Sequence, residues 1–132
     1  MNKYRLSAVV LALYVVLGEV GVGAAEQRIE VQTQANVMSA LKSHIEGNSV
    51  DGKYIIYDAV VGKLKKLKFD KVHEGMMKNH GFYVSCADFV DDDGSKYDLD
   101  LLVADKGGSF QVVETVVHAI NGKKRNFHLE DK

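Results

Sequence analysis

The chain has 132 residues, enough for one hydrophobic core and too few for two ordinary domains once a leader is set aside. Its 17 lysines and arginines against 18 aspartates and glutamates leave a net charge of -1, which excludes the broad positive field that a nucleic acid backbone requires. With 46% apolar residues, 27% charged residues and no proline, the composition excludes a disordered linker and calls for a packed core.

The first element is a leader. Lys3 and Arg5 precede an apolar run from Leu6 to Leu17, and small residues ending in Ala24 and Ala25 follow. This is the order of a secretory signal peptide, although Glu19 interrupts it. The apolar run is about 12 residues, short of the roughly 20 that cross a bilayer, so no transmembrane anchor is expected after processing. The expected organisation is a signal peptide over residues 1–25 and one domain over 26–132, exported to the periplasm or secreted. Losing Lys3, Arg5 and Glu19 leaves 15 basic and 17 acidic side chains. Cys86 is the only cysteine, so no internal disulfide braces the domain in an oxidising compartment.

From Glu26 to Glu46 the pattern predicts a helix, because Ala35, Val37, Met38, Leu41 and Ile45 recur at three- and four-residue spacing. Gly47 and Asn48 are expected to stop it through a left-handed residue. Strands follow. Lys53 to Ala59 and Leu64 to His73 form a first hairpin, and the stretch "EGMMKNHG", which lacks alternation, reads as a longer connection. The remaining segments "FYVSCADFV", "KYDLDLLVA", "SFQVVETVVHAI" and "KKRNFHL" are separated by "DDDGS", "DKGG" and the Asn121-Gly122 hairpin signal.

Side-chain parity fixes the register. Setting Val90 opposite Lys96 brings Phe89 to Tyr97, Ala87 to Leu99, Ser85 to Leu101 and Tyr83 to Val103, and one face becomes apolar. Across Asn121-Gly122, Val116 is expected to face Phe127, and Glu114 to face Leu129. The fold class is therefore α+β, with one N-terminal helix packed on a curved antiparallel sheet of five or six strands.

This order of helix, hairpin and meander resembles the cystatin-like arrangement. The run from Phe82 to Arg125, with its aromatic strand, Asp-Gly turn, "YDLD" strand and late histidine before "NGK", also resembles a group of small exported bacterial proteins. The resemblance implies the architecture and export, and it assigns no catalytic residue.

Several groups of residues have the composition of a site. In the aspartate loop, taking Gly94 as the sixth position of a calcium-binding EF-hand puts Phe89 at the first, where no oxygen ligand exists, so Asp91, Asp92 and Asp93 read as a solvated turn. The register instead gathers Cys86, Asp88, Asp98 and Asp100 on the face away from Phe89 and Leu99, beside Lys96, as an acidic patch that is solvated in its ordinary reading. His118 and Arg125 are expected to oppose each other near the Asn-Gly turn. Cys86 as a nucleophile with His118 or His128 as base has no support beyond residue type, and His73 and His80, seven apart, do not make a zinc-protease helix. Lysines 63, 65, 66, 68 and 71 read first as protection of an exposed strand, then as a surface for acidic partners or anionic lipid.

The candidate binding residues are Asp88, Asp98, Asp100, Cys86, His118 and Arg125. No catalytic set, metal ligand set or cofactor is expected. The leading expectation is a non-enzymatic module that binds a protein or small ligand on the open sheet face near Phe82, Val84 and Leu102. The alternatives are a metal protein or enzyme using the acidic face, and a self-associating envelope component.

Overall fold

The computed structural model describes residues 28–126 and 129; the predicted leader, Phe127 and His128 lie outside the described residues. Helix α1 spans Val31–Gly47 and is followed by β1 (Ser49–Val50), β2 (Lys53–Asp58), β3 (Lys63–Asn79), β4 (Phe82–Val90), β5 (Lys96–Asp105), β6 (Phe110–Ile120) and β7 (Lys123–Lys124). All seven strands form one antiparallel sheet in chain order. Among the described residues no helix is long and apolar enough to cross a membrane.

The helix buries Val37, Leu41 and Ile45, one residue per turn on a single face, against the sheet. Ala35, expected on that stripe, is exposed and Met38 only half-buried, so the buried face is narrower than the periodicity implied. The helix also ends differently. Asn48 has φ -108° and its side-chain amide donates to the His44 carbonyl at 2.8 Å, so the side chain caps the helix without a left-handed residue.

The β4–β5 register is the expected one throughout, from Tyr83 opposite Val103 to Val90 opposite Lys96. Its apolar face supplies Ala87, Phe89, Tyr97, Leu99, Leu101 and Val103 to the core. Phe89 is fully buried, with the Tyr54 ring stacked on it at 5.3 Å and the Phe69 ring edge-on at 5.6 Å. Burying a Phe, Leu or Val side chain contributes about 1.5–3 kcal/mol each, and this face therefore selects the register.

The stretch read as a long connection is strand. β3 runs 17 residues to Asn79, and it joins β4 through His80 and Gly81, both at positive φ (48° and 84°). Two register shifts, between Phe69 and Lys71 and between Val72 and Met76, break its alternation. Bulges admit extra residues and bend a strand, which is why "EGMMKNHG" carries no period of two.

The sheet curls so far that β2 reaches β6. The Tyr54 hydroxyl lies 3.2 Å from Thr115 Oγ1 and 2.9 Å from His44 Nε2, tying β2, β6 and α1 together. Arg125, just past β7, donates from both terminal nitrogens to Asp58 on β2, at 2.5 and 2.8 Å. The concave side holds the core and the helix, and the convex side carries the acidic face.

Candidate functional site

The convex site starts from a bulge. Asp98 pairs with Ala119 and Leu99 with Val117, so His118 is an extra residue in β6. A bulge re-aims its side chain, and the His118 ring turns onto Asp100 of β5, with Nδ1 at 3.1 and 3.0 Å from the two carboxylate oxygens. From β4, opposite Asp100, the Cys86 thiol donates to Asp100 Oδ1 at 3.0 Å. The Leu129 backbone N–H adds a bond to Asp100 Oδ2 at 3.1 Å, and the Asn79 side-chain amide donates to the Leu129 carbonyl at 3.0 Å. Asp100 thus accepts from three separate segments and is completely buried.

This corrects the expectation of a solvated acidic patch. Cys86, Asp100 and His118 are 8%, 0% and 5% exposed. Parity located Cys86 and Asp100, but the cover comes from the bulged His118 and from Leu129, 29 residues beyond Asp100. Leu129 sits over Asp100 and so away from the predicted place opposite Glu114. The expected β6–β7 register does hold where residues are described, at Ala119 with Lys124 and Ile120 with Lys123.

A second half of the site comes from β3. His73 Nε2 lies 2.8 Å from Asp88 Oδ1, and Lys71 Nζ is 3.9 Å from Asp88 Oδ2. Donor atoms of His73, Cys86 and Asp98, on three adjacent strands, all lie within 4.8 Å of one another. Asp98 Oδ1 is buried and has no hydrogen-bond partner. Burial pushes the Asp98 carboxyl up from its ordinary range; the nearby His73 and His118 pull it back, while Asp100 and Asp88 add to the rise. An orphaned carboxylate oxygen beside a thiol and an imidazole is suited to holding a cation.

His73 was missed as a member of this group. The β3 bulges hide which face it takes, and the only sequence signal was a histidine in a strand that pairs with "SCAD". The other candidates separate. Arg125 does oppose His118 in the backbone, donating its N–H to the His118 carbonyl at 2.8 Å. Their side chains part, however, His118 to Asp100 on the convex face and Arg125 to Asp58 on the concave side, so they form no common patch. The aspartate loop is a turn, as expected: Asp91 Oδ1 accepts from the N–H groups of Asp93 and Ser95, both at 2.9 Å, and Asp92 pairs with Lys53. The lysines of β3 divide between faces, with Lys63 and Lys65 opposite Asp58 and Ile56, and Lys66 opposite Ile55. Comparison with protein-family models, curated proteins and solved structures finds no match.

Proposed function

We propose that the protein is an exported, non-enzymatic binding module whose ligand is a divalent transition metal ion of the zinc class, held on the convex face by His73, Cys86 and Asp98. The observation that carries this reading is the convergence of one nitrogen, one sulfur and one oxygen donor within 4.8 Å from three neighbouring strands. Thiolate and imidazole select zinc-class ions over calcium or magnesium, which the acidic loop alone would have suggested. Metal–ligand bonds of about 2.0–2.3 Å set tetrahedral donors roughly 3.3–3.8 Å apart, so binding would draw the three side chains together by about 1 Å. Asp88 already holds His73 Nε2, the carboxylate–histidine pairing that orients a ligating imidazole, and this leaves Nδ1 to ligate. Export rests on the leader pattern of residues 1–25, and kinship with cystatin-like exported proteins rests on the helix-on-sheet order together with the Phe82 to Arg125 motif. The open-face reading has less to stand on, since Val84 is 1% exposed.

The test is titration with Co²⁺ followed by absorption, then competition with Zn²⁺. One equivalent is expected to produce a thiolate-to-metal charge-transfer band that Zn²⁺ abolishes. Cys86→Ser should remove the band and Asp98→Asn should weaken binding at least tenfold. Asp92→Asn in the turn is the control. Equal weakening in that variant, or no band at all, would overturn the reading.

A further inference from the structure

The curled sheet comes close to closing and stops short, and the gap is a cavity. β2 with its following turn and β6 leave between them a space of about 700 Å³ lined by Ile56, Ala59, Val60, Val116, Val117 and Arg125, among others. Its walls are mainly apolar, and two of its rim residues, Tyr57 and Val60, are 64% and 56% exposed. Single apolar side chains at a surface need no account, but here they continue into a concavity of the size that encloses small ligands. None of the residues lining it belongs to the His73, Cys86 and Asp98 group.

Its polar end decides the ligand class. Arg125 lines the cavity with its side chain about 15% exposed, and it gives two N–H groups to the fully buried Asp58. A guanidinium carries five N–H donors, so donors remain after this fork is made. The charge, however, is already balanced. Asp58 neutralises Arg125, and Glu114 at the rim adds a negative charge. An anionic ligand would meet repulsion there, and a cationic donor would meet the N–H groups of Arg125 at this end, which offer it no acceptor. We propose that this cavity binds a small, neutral, predominantly apolar molecule that presents one hydrogen-bond acceptor, a carbonyl, ether or hydroxyl oxygen, to Arg125. The site is independent of the convex metal site.

The experiment is a fluorescence titration with N-phenyl-1-naphthylamine, a neutral apolar probe, followed by displacement. Saturable one-to-one binding in the micromolar range is expected, with or without Zn²⁺. Decan-1-ol should displace the probe at least tenfold more effectively than decanoate. Ala59→Trp, which fills the cavity from an exposed turn position, should weaken binding at least tenfold while unfolding remains cooperative. Val60→Asp, also in the turn, is the second variant and should do the same by making the wall polar. Absence of saturable binding, or binding that survives both substitutions, overturns the site. Displacement by decanoate as good as that by decanol overturns the neutral-ligand assignment.

Discussion

Asp58 and Asp100 are both completely buried, and opposite faces of the sheet satisfy them in different ways. Asp100 takes N–H and S–H donors from three segments, whereas Asp58 is matched by a single forked guanidinium and the Val60 N–H at 3.1 Å. Breaking a buried pair by removing one partner strands the other charge, so Arg125→Ala is expected to lower stability by about 3 kcal/mol in urea denaturation. Replacing both by apolar residues of like volume, Asp58→Leu with Arg125→Met, should recover most of that loss. A double variant as unstable as the single one would mean that Arg125 acts through packing of its stem. The pH dependence has a definite sign. The Arg125 fork holds the Asp58 carboxyl below its ordinary 3.8, and burial holds His44 below its ordinary 6.5. Both groups bind fewer protons when folded, so their contributions are complete above the unfolded values and shrink as pH falls. Stability measured by thermal melts should therefore decline below about pH 6.5 in a His44 phase, partly offset as the raised Asp98 carboxyl takes up its proton, then decline again below 3.8 as Asp58 protonates. His44→Gln should flatten the first phase and leave the second. At this scale the sequence revealed which residues pair, Cys86 with Asp100 and Asp88 with Asp98, because strand parity needs no tertiary information. It did not reveal that Asp100 is dry, because Leu129 and the His118 bulge close over it from distant parts of the chain.

Turns and bulges explain where elements were legible and where they were not. β4 and β5 pair without a register shift, β6 keeps its β-branched character through two shifts, and their turns carry residues with one clear use. At the β6–β7 turn Asn121 and Gly122 have φ of 50° and 77°, and Asn121 Oδ1 accepts the Lys96 N–H at 2.8 Å. A side chain at a left-handed position costs roughly 1–2 kcal/mol. Gly122→Ala is accordingly expected to lower the melting temperature by about 5 °C. Asn121→Ala should cost more than Gly122→Ala, since it loses the Lys96 bond as well as a residue tolerant of that conformation. In β3 the same kind of reading failed. A strand with two register shifts and Gly75 in its interior has no fixed parity, so its sequence resembles a loop even though β4 pairs with it on either side of the shifts, from Lys68 to Asn79. That irregularity is also what brings His73 beside Cys86 and Asp98, and it hid the nitrogen donor while the sulfur and oxygen donors were visible.

The whole molecule separates two chemistries by the thickness of one sheet. Helix and core occupy the concave side, and the Cys86 thiol, the His73 and His118 imidazoles and the Asp88, Asp98 and Asp100 carboxylates occupy the convex side. Such a division follows from alternation: each strand of the β4–β6 meander must send every second residue away from the core, and here those positions carry Cys86, Asp88, Asp98 and Asp100. Because His73, Cys86 and Asp98 belong to β3, β4 and β5, an ion held by all three would clip together three strands through one centre, beyond their backbone ladders and the pairwise His73–Asp88 and Cys86–Asp100 bonds. A ligand that binds only the folded chain stabilises it by RT ln(1 + [L]/Kd), which is about 2.7 kcal/mol at a free concentration one hundred times Kd. Zinc at that excess should raise the melting temperature by roughly 10–20 °C, given about 4–8 °C per kcal/mol for a domain near 100 residues. Cys86→Ser should abolish the rise, because the remaining histidine and carboxylate form too weak a set, whereas Ala59→Trp at the β2–β6 cavity should leave it intact. The two sites share no side chain, so their effects should also add within about 0.5 kcal/mol when both are perturbed. A rise that persists in Cys86→Ser would place the metal elsewhere, and a rise lost in Ala59→Trp would show that the two sites communicate through the sheet.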